Sequence, residues 1–427
     1  MKTNCLLFVF SVLCFFSLVS LADAGQTVTL EQAIRQAREQ SITLKQAEKQ
    51  IRAAEARARE TRTYLYPSLG FSGTYDWQKG WGAADTAGVE NDYNSLALGI
   101  TQPVYTGQRL QKEFESAAIT AELARLDYRL AETDLVFQVR SAYFSALRLK
   151  KTVSVAGELV NNRQRHLSEV EKRVKVGVLP KVEQLKSEVG LAHSQDVLYS
   201  AENNYSFSRS LLNRLLENPI DTVLVLEEIT VDTGTKPSAP DYYYAQARQN
   251  RPEIEAARLD AVQAEKGVSI ARSGYYPQVS LQLSHQENQA DAFDSDWHDY
   301  NEAALVFSCD IWNWGRNREK VNTSRNLLEQ ARLNQQKVER NIALEVKNAY
   351  LAVVSARTRI VTAEKAIDQA EETLKMQTIR FKEGMATNTE VLDADFALSQ
   401  TKNDYFNAVY DFYQAETALN KSIGRLE

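Results

Sequence analysis

The chain carries one plan twice. Arg173-Val174-Lys175-Val176-Gly177 returns as Arg380-Phe381-Lys382-Glu383-Gly384, an offset of 207 (384 − 177). Ala142-Tyr143 returns as Ala349-Tyr350, and Val182-Glu183 as Thr389-Glu390, at the same offset. Further upstream Tyr66-Pro67 pairs with Tyr276-Pro277, and Leu44 with Ile254, at 210 (277 − 67). Such a duplication narrows the possible folds sharply, because whatever one half builds, the other must build as well.

Each half reads helix, strand, loop, strand, long helix, turn, long helix. In the first half the spacing predicts one helix from Thr29 to Thr63, rich in Ala, Arg, Glu and Gln, with Leu30, Ile34, Leu44 and Ile51 as sparse apolar positions. Pro67 stops it, since proline lacks an N–H and disfavours helix just before it. Leu69, Phe71, Gly73, Tyr75 and Trp77 then alternate with small or polar residues, a period of two and hence a strand. A loop is expected over Gly80 to Asp92, and a second alternating run follows at Leu96, Leu98 and Ile100. The second half repeats this with Val279, Leu281 and Leu283, an acidic loop holding Asp291, Asp294, Asp296 and Asp299, and a strand through Ala303, Leu305, Phe307, Cys309 and Ile311. Only 17 Gly and 8 Pro punctuate 427 residues, and none of the Pro falls between Gln108 and Leu179 or after Arg316. Helices of about 65 residues would reach about 100 Å and need lateral packing, as in a coiled coil. The expected division is residues 25–217 (hairpin 67–105, helices 108–176 and 180–217), a proline-marked connector at 218–240 with a short strand at Thr222 to Leu226, and residues 241–427 (hairpin 277–312, helices 316–382 and 388–425).

Lys2, the apolar run Leu6 to Leu21 and Ala22-Asp23-Ala24 read as a secretory signal peptide cleaved after Ala24; the alternative is an N-terminal anchor, for which about 16 apolar residues are short. Cys5 and Cys14 leave with it, so the mature chain keeps only Cys309 and forms no internal disulfide. No later stretch approaches the about 20 apolar residues of a spanning helix, so any membrane crossing must use strands. The net charge of −6 gives no basic stripe for nucleic acid.

All five Trp (Trp77, Trp81, Trp297, Trp312 and Trp314) lie in the hairpin regions, together with Tyr64, Tyr66, Tyr75, Tyr93, Tyr105, Tyr275, Tyr276 and Tyr300. Amphipathic rings favour the membrane–water interface, although aromatics also favour strands in general. Four strands cannot stand open in lipid, which solvates no unpaired backbone group. Closure must then come from several chains sharing one barrel, and three chains of four strands would leave a lumen.

In its duplicated plan, its Tyr-Pro starts to the strands and its hairpin exits Gln102-Pro103-Val104-Tyr105 and Asp310-Ile311-Trp312-Asn313-Trp314-Gly315, the sequence resembles the TolC-like outer-membrane efflux protein family over essentially the whole mature chain. Asn250-Arg251-Pro252-Glu253-Ile254 is similar to a helix start of that family. The resemblance implies a mainly α fold with a membrane β-barrel portion: long coiled-coil-like helices and four strands per chain, with a homotrimer forming a 12-stranded barrel on an α-helical tunnel. It implies an outer-membrane channel reaching into the periplasm, a passive duct for efflux or type I secretion. Its partners would be outer-membrane lipid, a periplasmic adaptor and an inner-membrane pump or ABC transporter. It makes Val176, Gly177 and Val178 an adaptor-docking turn with Glu383, Gly384 and Met385 as its degenerate partner, although glycine in both turns also suits an ordinary helix C-cap. Glu390 and Asp393 share one helix face and, in a trimer, would stack as two carboxylate rings favouring cations; ordinary solvated charge is the other reading. Where some family members lock the tip with Tyr and Arg, this chain has Phe381 and Ala386, while Glu183 survives beside Lys186.

His166, His193, His285 and His298 have no metal-site spacing, and no phosphate loop or nucleophile elbow occurs. The acidic loop lacks the order of a calcium-binding EF-hand. No catalytic residue and no cofactor is expected. Three rival readings are a periplasmic adaptor, which would carry one helical hairpin between β-rich domains, a coiled-coil structural protein of the envelope, which would lack aromatic hairpins, and a secreted enzyme, which would need convergent polar residues.

Overall fold

In the computed structural model, residues 27–80, 89–229, 237–290 and 296–426 are described. The expected signal peptide, Trp81, Asp291 and Asp294 lie outside them. The elements are β1 (Thr27–Val28), α1 (Leu30–Gln40), α2 (Ile42–Thr63), β2 (Ser68–Gly80), β3 (Val89–Tyr105), α3 (Arg109–Lys175), α4 (Lys181–Leu215), β4 (Val225–Leu226), α5 (Pro240–Asn250), α6 (Pro252–Arg272), β5 (Gln278–Ala290), β6 (His298–Ser308), α7 (Arg316–Lys382) and α8 (Asn388–Ser422).

Three expectations need correction. The first helix is not continuous from Thr29 to Thr63. It breaks at Ser41, whose extended backbone and side-chain oxygen, accepting from the Leu44 N–H at 3.3 Å, cap a second helix. The second half breaks at the equivalent place (251 − 41 = 210), where Pro252 forces Arg251 out of the helical region. The second strand of the first hairpin is longer than expected, since β3 already begins at Val89, inside the expected loop. Finally, β6 ends at Ser308, so Cys309 and Ile311 are not strand residues, and Ile311 stands exposed.

The four long strands form one antiparallel sheet in the order β2-β3-β5-β6, leaving β2 and β6 with a free edge each. Register aligns Leu69, Ile100, Leu283 and Ala303 across all four strands, and Ser68, Thr101, Gln282 and Ala304 in the neighbouring row. One face is therefore largely apolar and the other largely polar, as strict alternation demands. Among the described residues no other element covers the apolar face: Leu69, Phe71, Leu305 and Phe307 are all more than 60% exposed.

Both strand-to-helix exits use two consecutive left-handed residues, Gly107-Gln108 (φ 60° and 66°) and Trp314-Gly315 (φ 54° and 83°). Gly107 has a second reason to lack a side chain, because a Cβ there would lie 2.9 Å from the Cβ of Tyr276. α3 and α7 each then run 67 residues, about 100 Å.

The helices keep one lateral order throughout. Near the sheet it is α2-α3-α6-α7; towards the far end it is α4-α3-α8-α7. First-half elements thus form one flank at every level and second-half elements the other. The widest core lies between these zones, where α1, the middle of α3, the end of α4 and the β1–β4 ladder bury Val139, Tyr143, Phe144, Leu147, Leu212, Leu216 and Leu226. Tyr143 is wholly buried and its hydroxyl reaches the carbonyls of Val28 (2.9 Å) and Glu227 (3.0 Å), tying the ladder to α3. Burial pushes this phenol up to about 12, so it stays a donor at any ordinary pH.

Candidate functional site

The far end of the helices is built by two matching turns. After α3, Gly177 (φ 79°) lets the Val178 N–H reach the Arg173 carbonyl (2.9 Å) and its own N–H the Val174 carbonyl (3.0 Å). After α7, Gly384 (φ 74°) does the same, with Met385 on the Arg380 carbonyl (2.7 Å) and Gly384 on that of Phe381 (3.1 Å). These are Schellman caps, which satisfy carbonyls the helix leaves orphaned and require a left-handed residue that glycine supplies without strain. Val176, Val178 and Met385 project into solvent, leaving an apolar point on each turn.

Arg173 ties one turn to the other. Its guanidinium donates to the carbonyls of Phe381 and Lys382, both at 3.1 Å, and lies 5.1 Å from the Phe381 ring centroid. Phe381 is buried with Val170 and Val391, and Ala386 packs against them. The positions where the resemblance suggested an aromatic and basic lock thus form an apolar plug, held by an arginine from the other turn.

The three acidic candidates differ in their commitments. Glu390 sits at the third position of α8 and closes a capping box: its Oε2 accepts from the Thr387 N–H (2.6 Å) and hydroxyl (3.0 Å). The Thr387 backbone N–H holds this carboxyl below its ordinary value. Glu183 accepts from Lys186 at 2.9 Å, which lowers its carboxyl likewise. Asp393 is exposed one turn into α8, and Glu390 and Asp393 stand on the same helix face.

Behind this surface lies a polar cluster that sequence reasoning missed. Asn388 is 2% exposed and its Nδ2 donates to the Glu183 carbonyl and the Ser187 hydroxyl on α4, both at 3.0 Å. Its Oδ1 meets His166 Nε2 of α3 at 2.6 Å. Two turns further along α8, buried Asp395 accepts from Asn162 at 2.9 Å and lies 3.6 Å from the Arg163 Nε. Arg163 also donates to the Leu392 carbonyl at 3.1 Å. Burial pushes the Asp395 carboxyl up and the His166 imidazole down. The one signal available in the sequence was Gly190 inside α4, since glycine weakens a helix interior: a Cβ there would come 2.6 Å from the Arg163 Nη1.

At the opposite end the aromatic residues fall in two bands. Trp77, Tyr75, Trp297 and Tyr300 lie toward the loop end of the sheet; Tyr64, Tyr66, Tyr276, Trp312 and Trp314 lie where strands meet helices. All are substantially exposed, Trp314 at 89%. From Tyr66 to Trp77 the chain climbs about 36 Å along the strand at about 3.3 Å per residue. With a tilt near 45° that is about 25 Å of height, the thickness of an outer-membrane apolar band. Among the described residues no helix is long and apolar enough to cross a membrane, and no three His, Cys, Asp or Glu side chains converge to hold a metal.

The sequence pattern of the outer membrane efflux protein family matches residues 33–217 and 243–425, once for each half. The chain belongs to the outer membrane efflux protein family. It is 21% identical over 431 aligned positions to the outer membrane protein TolC of Escherichia coli K12, covering 97% of this chain and 86% of that protein. It is 22% identical to the cobalt-zinc-cadmium resistance protein CzcC of Cupriavidus metallidurans, covering 94% and 91%. Among solved structures, the outer membrane protein VceC of Vibrio cholerae superposes with a TM-score of 0.79 at 20% identity (92% and 96% covered). The CusC channel superposes with 0.81 at 19% identity (96% of both chains). As a member of this outer membrane efflux family the protein is an outer-membrane channel of mainly α fold with a membrane β portion, serving efflux. The family consists of channel proteins, not enzymes.

Proposed function

We propose that three copies of the chain close into one passive export duct: a 12-stranded barrel in the outer membrane continued by a helical tunnel through the periplasm. The observation that carries this is the free edge on each side of a four-stranded sheet whose apolar face is left uncovered among the described residues. Lipid solvates neither β2 nor β6 edge groups, so each edge needs a partner strand. The constant lateral order supports one pairing, in which β2, α2 and α4 of one copy meet β6 and α7 of the next. Such a head-to-tail contact closes into a ring. The apolar face then meets lipid, the polar face lines the lumen, and the two aromatic bands sit at the two interfaces.

The secreted chain is taken to lose residues 1–24. The turns at Val176, Gly177, Val178 and at Glu383, Gly384, Met385 are the docking points for a periplasmic adaptor, supported by the exposed apolar residue each presents beside its cap. An inner-membrane pump or ABC transporter supplies the energy. Asp393, with Glu390 beside it, rings the entrance with carboxylates and favours cations; Glu183 contributes to the same tip while paired to Lys186.

The deciding experiment is the native mass of the protein extracted in mild detergent from the outer-membrane fraction. A trimer is expected. A monomer in the soluble periplasm would break the argument at ring closure and leave an adaptor or coiled-coil protein as the better account.

A further inference from the structure

We propose that His166, Asn388 and Ser187, with the Arg163–Asp395 pair, form a proton-sensitive clasp that holds the α7–α8 hairpin to the α3–α4 hairpin just behind the tip, and that acidification releases it. The clasp is an intrachain device; that its release widens an entrance rests on the duct reading.

The geometry assigns the proton. The Glu183 carbonyl can only accept, so the Asn388 atom facing it is Nδ2. The amide oxygen then faces His166, and Nε2 of the imidazole must donate. Nε2 of His166 therefore carries a proton, and Nδ1 is the atom that takes up another. The gain of one proton makes an imidazolium in a largely buried place. On its own helix it faces Arg163, Arg165 and Glu169; on α7, Lys382 and the Phe381 ring, 5.1 Å away; on α8, Asp395. On α4, Glu183 meets the cluster by its backbone carbonyl while its carboxylate holds Lys186. Glu169 is already paired with Arg173 and Asp395 with Arg163; burial opposes the new charge most, with Arg163 adding to it, against the Asn388 oxygen and the two engaged carboxylates.

The direction follows from burial, which lowers the His166 value below its ordinary 6.5. Above 6.5 both the clasped and the opened imidazole are neutral, and the clasp keeps its full strength. As pH falls below 6.5 the opened, solvated imidazole takes the proton first. The clasp then weakens progressively until the lowered value is passed. Asp395 acts in the opposite sense: burial raises its carboxyl from 3.8, so its protonation relieves a cost as acid is added, in a window that starts upward from 3.8. The histidine response is separated from it by substitution.

The test uses spin labels on full-length protein carrying Cys309→Ser, with Lys181→Cys on α4 and Thr389→Cys on α8, diluted with unlabelled chains. From about pH 8 to about pH 5, the distance between labels is expected to lengthen reversibly, with its midpoint below 6.5. His166→Gln keeps a donor for Asn388 and cannot titrate in this range, so it should hold the short distance throughout. An unchanging distance in the parent, or an undiminished shift in His166→Gln, overturns the proposal. Should His166→Gln not fold, Asn388→Ala serves: it should show the long distance already at neutral pH, and a retained pH response would overturn the clasp. Conductance in planar bilayers, run in parallel, is expected to rise severalfold with the distance. Distances that respond in a protein forming no pore would sink the duct and keep the clasp; a pore that responds while distances stay fixed would sink the clasp alone.

Discussion

At the scale of single residues, the tip shows how the same residue type takes different duties by position. Glu390 spends its carboxylate on the start of α8, whereas Asp393, one turn on, faces solvent. Asp393→Asn should therefore lower cation-over-anion permeability in planar bilayers while leaving the helix start intact; an unchanged permeability ratio would remove Asp393 from the lumen. Tyr143 gives a second case. Its hydroxyl shares one proton between the Val28 and Glu227 carbonyls; the Val28 carbonyl also accepts from the Glu227 N–H, so removing the hydroxyl takes a donor chiefly from the Glu227 carbonyl. Tyr143→Phe should cost about 1–3 kcal/mol, read as a lowered unfolding midpoint with the secondary structure retained. Ala142-Tyr143 was visible in the sequence as a repeated pair, but its partners were not, because they lie 84 and 115 residues away.

At the scale of elements, the paired breaks before α2 and before α6 matter most. Pro252 announced the second break, while Ser41 gave only a weak signal, since serine caps helices and also occurs within them. The duplication links the two, because Ser41 and Arg251 occupy equivalent places. Arg251 shows what the second break builds: its buried guanidinium binds Glu253 and Glu345 and donates to the Lys421 carbonyl at 3.3 Å. It thereby joins the start of α6 to the middle of α7 and the end of α8. Both glutamates keep some contact with water, so losing the arginine does not strand two buried charges. Arg251→Ala should cost about 2 kcal/mol, measured by chemical unfolding, and should speed amide exchange at the end of α8 ahead of the rest of that helix.

At the scale of the whole molecule, the proposed duct makes the chain one sector of a wall. Among the described residues its broadest core lies in the middle, and its sheet is a single layer with large apolar residues on show. Such a layer gains stability from copies of itself and from lipid. In the proposed ring the closing contacts are backbone hydrogen bonds between strands within lipid and apolar flanks between helices, not exposed ion pairs. Raising salt from about 0.1 M to about 1 M, which shortens the screening length to about 3 Å, should leave the native mass in detergent unchanged. Dissociation by salt would point to surface charge as the glue and against a shared barrel.

Local chemistry was enough for a good deal of this. Strand alternation, proline stops, glycine turns and the two long proline-free stretches are properties of neighbours along the chain, and the repeat made each half a check on the other. From these came the element order, the need for closure and the positions of both tip turns. Side-chain partnership across the fold is another matter. Arg173 reaches the Phe381 carbonyl 208 residues away, and Asn162 reaches Asp395 across 233. His166 looked like one of four unrelated histidines until α8 was laid beside α3. A polar residue on a long amphipathic helix reads as solvated charge unless the neighbouring helix is known, because only the packing of that neighbour removes the water.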